Sequence, residues 1–231
     1  MRIEPAQHTH RAMLREHFER LVGLKNLSMD SLEVALVRMS ARETLIAPGA
    51  RHPYLYIVLE GIMRVAVTTE DGAERVTHLV ERGQTLAVPM MYRSAWMGNV
   101  QERTPAVSQV LDEHLSGPPP YLVSSLKAAT MLRVSYEQLE RLAANDGAWA
   151  AVLVHHLTVF AAVTEARNID LLTLNPERRY HKFMKRRGHL VGQVPKKDIA
   201  SLLGITPESL SRIRARTADP IAPVKGLRRI S

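Results

Sequence analysis

The sequence predicts an α+β chain in three parts: an N-terminal antiparallel β-roll (a double-stranded β-helix), one long helix, and a C-terminal winged-helix-like helix-turn-helix domain. Three observations lead there. Short β-rich runs separated by Gly, Pro and acidic turns fill the stretch from Glu43 to Val88, and two more lie between Leu122 and Val134. An apolar stretch from about Ala148 to Leu172 keeps helical periodicity without a break. Near the C-terminus, Lys196–Arg216 reads KKDIASLLGITPESLSRIRAR, two short helical patterns around Gly204. The expected boundaries are 1–145 for the roll, 146–173 for the long helix and 174–231 for the helix-turn-helix domain.

Taken in order, residues up to about Arg11 show no periodicity and are expected to be loose. Met13, Leu14, Phe18, Leu21 and Val22 form one stripe of a helix over Ala12–Leu24. Ser28–Ser31 resembles a helix start, so Leu32–Met39 is expected to be a second helix. Strands are expected at Thr44–Ile46, Tyr54–Leu59, Ile62–Thr69, Arg75–Leu79, Thr85–Val88, Leu122–Ser125 and Thr130–Val134. Turns at Pro48-Gly49, Glu60-Gly61 and Glu70-Asp71-Gly72 separate them, and short strands at this spacing suit an antiparallel roll. Pro89–Pro120, with the run Gly117–Pro120, reads as an insertion covering part of the roll.

Tyr136–Ala144 is expected to be a short helix, and Asp146 caps the long one. On that helix Trp149, Val152, His156, Val159, Val163 and Ala166 recur at steps of three and four, a coiled-coil-like seam for a second copy of the chain. A second stripe of Leu153, Leu157, Phe160 and Leu171 would pack on the roll. Asn175-Pro176-Glu177 starts another helix, with a cap and an N1 proline, that ends at Gly188.

In the final pair, Ile199, Leu202 and Leu203 give the first helix a buried face, and Gly204 suits a positive φ at its end. Thr206 caps the second helix, Pro207 takes its first position and Glu208 complements its dipole. Leu210 and Ile213 form that helix's inner face, leaving Glu208, Ser209, Ser211, Arg212, Arg214 and Arg216 outward. A helix, a tight turn and a donor-rich helix form a helix-turn-helix arrangement that suits double-stranded DNA.

The chain holds 231 residues, 45% hydrophobic and 23% charged, with no Cys. That composition is ordinary for a soluble globular protein and excludes disulfides, thiolate zinc and Cys-held iron–sulfur clusters. No apolar run approaches the expected length of a membrane span and the N-terminus lacks a signal-peptide core, so a cytoplasmic location and no membrane partner are expected. Charge is uneven. Leu172–Ser231 carries 14 Lys and Arg against 4 Asp and Glu, while the preceding residues carry 17 and 19. A basic excess confined to the segment that carries the helix pair is an electrostatic footprint for nucleic acid.

With β-roll, long helix and helix-turn-helix in this order, the chain resembles the CRP/FNR family of transcription regulators from about Leu14 to Arg216. VPKKDIASLLGITPESLSRIRAR is the most specific part, and YLYIVLEGIMRVAVTTEDGAERVTHLVERGQ resembles the family's first strands. The resemblance implies a roll that serves as a sensor, a homodimer through the long helix, a palindromic DNA site and contact with RNA polymerase. Glu208, Ser211 and Arg212 match the E-x-x-S-R pattern of the FNR-type subgroup. Arg donates to guanine O6 and N7, Glu accepts from cytosine N4, and Ser adapts to either. Ser209 belongs to the same contact set. Thr206, Lys196, Lys197 and Arg214 would hold phosphates. The expected half-site is close to TTGAT, two half-sites lying about one helical turn apart.

Departures from the family bear on the effector. Cyclic-nucleotide binders have Gly-Glu and Arg-Ser or Arg-Thr in a phosphate cassette. Here Ala87-Val88 and Pro119-Pro120 fall at those places, and none of these side chains pairs an anion. The string Arg93–Trp96 resembles the cassette's end but lies too early for the strand that follows. cAMP is therefore not expected, and no cofactor is identifiable. Met90, Met91, Trp96 and Met97 are weak candidates for an adaptable apolar effector pocket. His156, placed at the seam, could respond to pH near neutrality. A cupin-like metal-dependent enzyme carrying a DNA-binding domain would need clustered ligands, for which the strands offer His52 and His78. A further alternative is a constitutive DNA-binding dimer with a purely structural roll. The tail after Arg216 shows no clear hairpin for a wing.

Overall fold

The structure, a computed structural model, describes residues 1–50, 52–86 and 120–217. Its contacts divide the chain into two compact units, Met1–Arg167 and Asn168–Ser231.

In the first unit, β1 (Arg2–Pro5) and α1 (His8–Val22) precede β2 (Ala35–Met39), β3 (Thr44–Ile46), β4 (Tyr54–Glu60), β5 (Ile62–Thr68), β6 (Glu74–Glu81) and β7 (Thr85–Leu86). After the undescribed stretch come β8 (Tyr121–Ser125), β9 (Ala129–Ser135), α2 (Tyr136–Asn145) and the long α3 (Gly147–Thr173), whose residues to Arg167 belong to this unit. Two antiparallel sheets result, ordered β1-β2-β9-β4-β7 and β3-β8-β5-β6. The expected roll is thus present among the described residues.

Strands buried on both faces explain its pattern. Leu55 and Ile57 of β4, Leu132 and Val134 of β9, and Leu36 of β2 pack with Leu14 and Phe18 of α1, Leu139 of α2, and Trp149 and Val152 of α3. The alternate residues, Tyr56, Val58, Met131, Val37 and Met39, pack with Met63, Val65, Val80 and Val123 of the other sheet. Each such side chain contributes roughly 1.5–3 kcal/mol by leaving water. At the β4–β5 turn Gly61 has φ +94°, and a Cβ there would sit 2.5 Å from the Ala128 carbonyl oxygen. Only glycine fits.

Three expectations fail here. The N-terminus is not loose: Ile3 pairs with Val37, and α1 starts at His8 behind a Gln7–His10 capping box. The expected second helix over Leu32–Met39 is instead β2, hydrogen-bonded to β1 and β9. Its Leu36 and Val37 face opposite cores, and such a two-faced apolar run is indistinguishable from a buried helix by periodicity alone. Third, α3 is long and apolar enough, by length and composition, to cross a membrane. The polar residues dispersed along it, among them His155, His156, Glu165 and Arg167, had masked that.

In the second unit, α4 (Pro176–Arg187) opens with the Asn175 side chain accepting from the Arg178 amide at 2.9 Å. A 3₁₀ turn, Gly188–Leu190, leads to α5 (Lys196–Leu202) and α6 (Pro207–Thr217). Tyr180, Phe183, Leu190, Val194, Ile199, Ala200, Leu203, Leu210 and Ile213 are its buried apolar residues among those described. The basic tail from 218 lies outside the described residues, as do Met90, Met91, Trp96, Met97 and the cassette positions Ala87-Val88 and Pro119.

Candidate nucleic-acid interface

The turn between α5 and α6 is built by local rules. Gly204 adopts φ +65°, its amide donates to the Ser201 carbonyl at 3.0 Å, and the Ile205 amide donates to Ala200 at 3.0 Å. These two bonds make a Schellman stop, satisfying carbonyls that the end of α5 would leave open. Two residues on, the Ser209 amide donates to Thr206 Oγ1 at 3.2 Å, the expected cap.

Leu210 and Ile213 turn inward from α6 and are buried, while Glu208, Ser211 and Arg212 are exposed on the opposite face. Ala215 shares that face, seven residues from Glu208, and is exposed as well. The sequence reading stopped at polar residues and passed it over, although the i, i+3, i+4, i+7 spacing alone places it there. Ser209 is half-buried, its Oγ shared between Thr206 Oγ1 at 3.2 Å and the Arg212 guanidinium at 3.3 Å. The hydrogen bond from its own backbone amide, then that from Thr206, then the charge of Arg212 hold the Glu208 carboxyl below its ordinary range. It is therefore an acceptor at neutral pH. Lys196 and Lys197 are exposed at the first turn of α5, and Arg214 is half-buried. An open groove of about 600 Å³ between α4 and α6 brings Lys196, Ser211 and Arg214 together with Tyr180, His181 and Met184.

One residue outside the predicted set positions this site. Arg179 of α4 donates to the carbonyls of Leu203 at 2.8 Å, Leu174 at 2.6 Å and Leu171 at 3.4 Å. Nothing in its sequence context separates it from the basic residues around it.

The proposed seam on α3 divides. Trp149, Val152 and His156 are 1%, 2% and 8% exposed within their own chain. Val159 and Val163 are 45% and 52% exposed, and Ala166 is exposed too. Only the first half of the stripe is covered within the roll unit, and its later members stand exposed. Phe160, stacked on His78 with ring centroids 5.8 Å apart, and Arg167, donating to the Val76 carbonyl at 3.4 Å, continue the buried face instead. Leu157, expected on the roll, is 42% exposed.

His156 is not poised near neutrality. Burial, followed by the charges of His155 and His17, lowers its pKa to about 4, and its Nε2 is buried without a hydrogen-bond partner. Of the cupin candidates, His52 sits beside Tyr56 and His78 against Phe160. Among the described residues no three His, Cys, Asp or Glu side chains form a metal-binding group.

The class this architecture defines is recognisable in known proteins. Residues 36–112 match the family model of the cyclic nucleotide-binding domain. No curated protein sequence matches the chain. Among solved structures, FixK2 from Bradyrhizobium japonicum is similar at 17% identity and TM-score 0.61, over 84% of this chain and 90% of that one. A CooA variant from Carboxydothermus hydrogenoformans is similar at 14% identity and TM-score 0.58, over 86% and 83%. The c-di-GMP-responsive global regulator CLP from Xanthomonas campestris follows at 16% and 0.53, over 91% and 95%. The chain has the fold of the CRP/FNR regulators, as its sequence motifs indicated.

Proposed function

We propose that this protein is a homodimeric, sequence-specific DNA-binding transcription regulator of the CRP/FNR type, acting in the cytoplasm and not controlled by cAMP. The observation that carries the reading is the outward face of α6. It holds an ionised Glu208, Ser211 and Arg212 opposite the buried Leu210 and Ile213. Arg212 would read guanine, Glu208 cytosine, Ser211 either, and the Ala215 methyl suits the methyl of thymine. Lys196, Lys197, Thr206 and Arg214 would take phosphates, and Ser209 would orient Arg212. The half-site proposed, from the resemblance to the FNR-type pattern, is close to TTGAT.

Dimerisation is proposed through α3, because so much apolar surface stands exposed on a helix already anchored to its roll by Trp149 and Val152. Val154 and Leu157 are 62% and 42% exposed and, with Ala161, recur at steps of three and four along one face. Val159, Val163 and Ala166, also exposed, form a second apolar stripe on the other side of α3. An apolar patch of this kind on a helix calls for a partner. Two α6 helices related by a two-fold axis would then meet successive major grooves. RNA polymerase is the further partner proposed by analogy with the fold. Independence from cAMP rests on Ala87-Val88 and Pro119-Pro120, side chains unable to hold a ribose hydroxyl or a cyclic phosphate.

The test is fluorescence anisotropy of the purified protein on a TTGAT–N4–ATCAA duplex and on a scrambled duplex across a salt series. Selective binding with a steep salt slope is expected. Equal binding of the two duplexes, with and without cell extract, would overturn the site assignment.

A further inference from the structure

Arg133 of β9 stands out among the described cations. It lies on the face of β9 that carries Ala129 and Met131 toward the core between the two sheets, and it is half-buried there. Its guanidinium lies 4.2 Å from the centroid of the Tyr54 ring. The ion pairs among the described residues include Met1–Glu43, Arg2–Glu4, Arg64–Glu74, His181–Glu177 and Lys182–Asp170. Arg133 is in none of them.

The described side chains grouped with it are aromatic. Tyr56 lies directly across the β4–β9 ladder, with Tyr54 two residues before it on the same face. The His52 ring stacks on Tyr56, centroids 5.4 Å apart and planes at 17°, while its Nε2 pairs with the Tyr56 hydroxyl. His52 also meets Tyr54 edge-on at 5.4 Å. Burial, with Arg133 as the second cause, lowers the His52 pKa to about 4, and burial pushes the Tyr56 phenol well above its usual range. Near neutral pH this group of four side chains therefore carries one charge, that of Arg133. His52, Tyr54 and Arg133 all remain partly open to solvent.

A partly desolvated guanidinium without a counter-ion among the described residues suits a carboxylate, which it would hold through two parallel N–H donors. The rings beside it offer faces and edges on which a planar ligand stacks. A single cation matches a monoanion better than a phosphate monoester, whose second charge would go uncompensated in a partly buried site. We propose that the Arg133–Tyr54–His52–Tyr56 cluster binds a small aromatic carboxylate, its acid group on Arg133 and its ring along Tyr54 and His52. The site is independent of the DNA-binding reading, and so is its test.

That test is isothermal titration of the full chain with benzoate and phenylacetate. Cyclohexanecarboxylate, benzyl alcohol and inorganic phosphate serve as probes lacking the ring, the charge and the carboxylate respectively. Saturable binding of an aryl acid is expected, weakened about tenfold or more in Arg133→Gln, where the charge-assisted pair is lost. Tyr54→Leu, which keeps the charge, is expected to bring benzoate down to the affinity of cyclohexanecarboxylate. Circular dichroism establishes that each variant is folded. Should Arg133→Gln not fold, Arg133→Lys and Tyr54→Leu carry the same comparison. No binding of either aryl acid, binding unchanged in the folded Arg133 variant, or phosphate binding as tightly as benzoate would each overturn the proposal.

Discussion

Two histidines buried where α1 meets α3 make the roll unit acid-sensitive, and the effect can be worked out for His156. Its Nε2 has no partner, and burial holds its pKa at about 4 against an ordinary 6.5. The unfolded chain therefore takes up a proton through pH 6.5, whereas the folded chain does so only near pH 4. Between those values the unfolded state binds more protons, so stability is complete above pH 6.5 and declines as the pH falls toward 4. At pH 5 the linkage amounts to about 2 kcal/mol for this group, or roughly 4–8 °C in Tm for a domain of this size. His17, lowered to about 4 by burial and then by Arg20, adds a loss of the same sign. The perturbation is His156→Leu, which keeps an apolar volume in the site and removes the titration. Thermal unfolding followed by circular dichroism at pH 7.5 and 5 measures it. The variant is expected to lose about 2 kcal/mol less than the parent over that interval. An equal fall in Tm for both proteins would refute the reasoning.

Other outcomes follow from geometry. Gly61→Ala sets a methyl 2.5 Å from a backbone oxygen and 2.8 Å from the Ala129 Cα at φ +94°. It is expected to cost on the order of 3 kcal/mol or more, whereas Gly72→Ala, at φ +78° with no atom within 4 Å, costs only about 1 kcal/mol of backbone strain; chemical denaturation separates them. Thr206→Ala removes the α6 cap and is expected to destabilise by about 1 kcal/mol, read as lower thermal stability of the second unit. Arg212→Ala is expected to erase the preference for TTGAT over the scrambled duplex, about 1–3 kcal/mol of discrimination. Lys197→Ala should weaken both duplexes alike and flatten the salt slope. Leu157→Glu places a charge on the exposed face of α3, and sedimentation is expected to give a monomer at concentrations where the parent is dimeric.

What the sequence disclosed and what it withheld divide along the range of the forces involved. The α5–α6 turn was legible because each device in it is local. Gly204 stops one helix, Thr206 and Pro207 start the next, and every bond spans five residues or fewer. The strand Ala35–Met39 was misread because its partners, β1 and β9, are set by pairings that no window around it contains. The seam on α3 was half legible. Its spacing is real, but spacing does not reveal that the roll buries Trp149, Val152 and His156. Least legible was the cluster around Arg133. His52 and Tyr54 meet Arg133 only through the β4–β9 register, and nothing in RVSYEQ marks its arginine as one that lies against an aromatic ring.

Arg179 ties three stretches of backbone with one planar group, the end of α3 at Leu171, the link at Leu174, and the last residue before Gly204. Opposite, a Cβ on Gly204 would fall 2.8 Å from Leu171 Cδ2, so the two segments already touch. The last turn of α3 and the turn in front of α6 are consequently bound to one side chain. Within this unit the guanidinium is the rivet that joins the end of α3 to the α5–α6 turn.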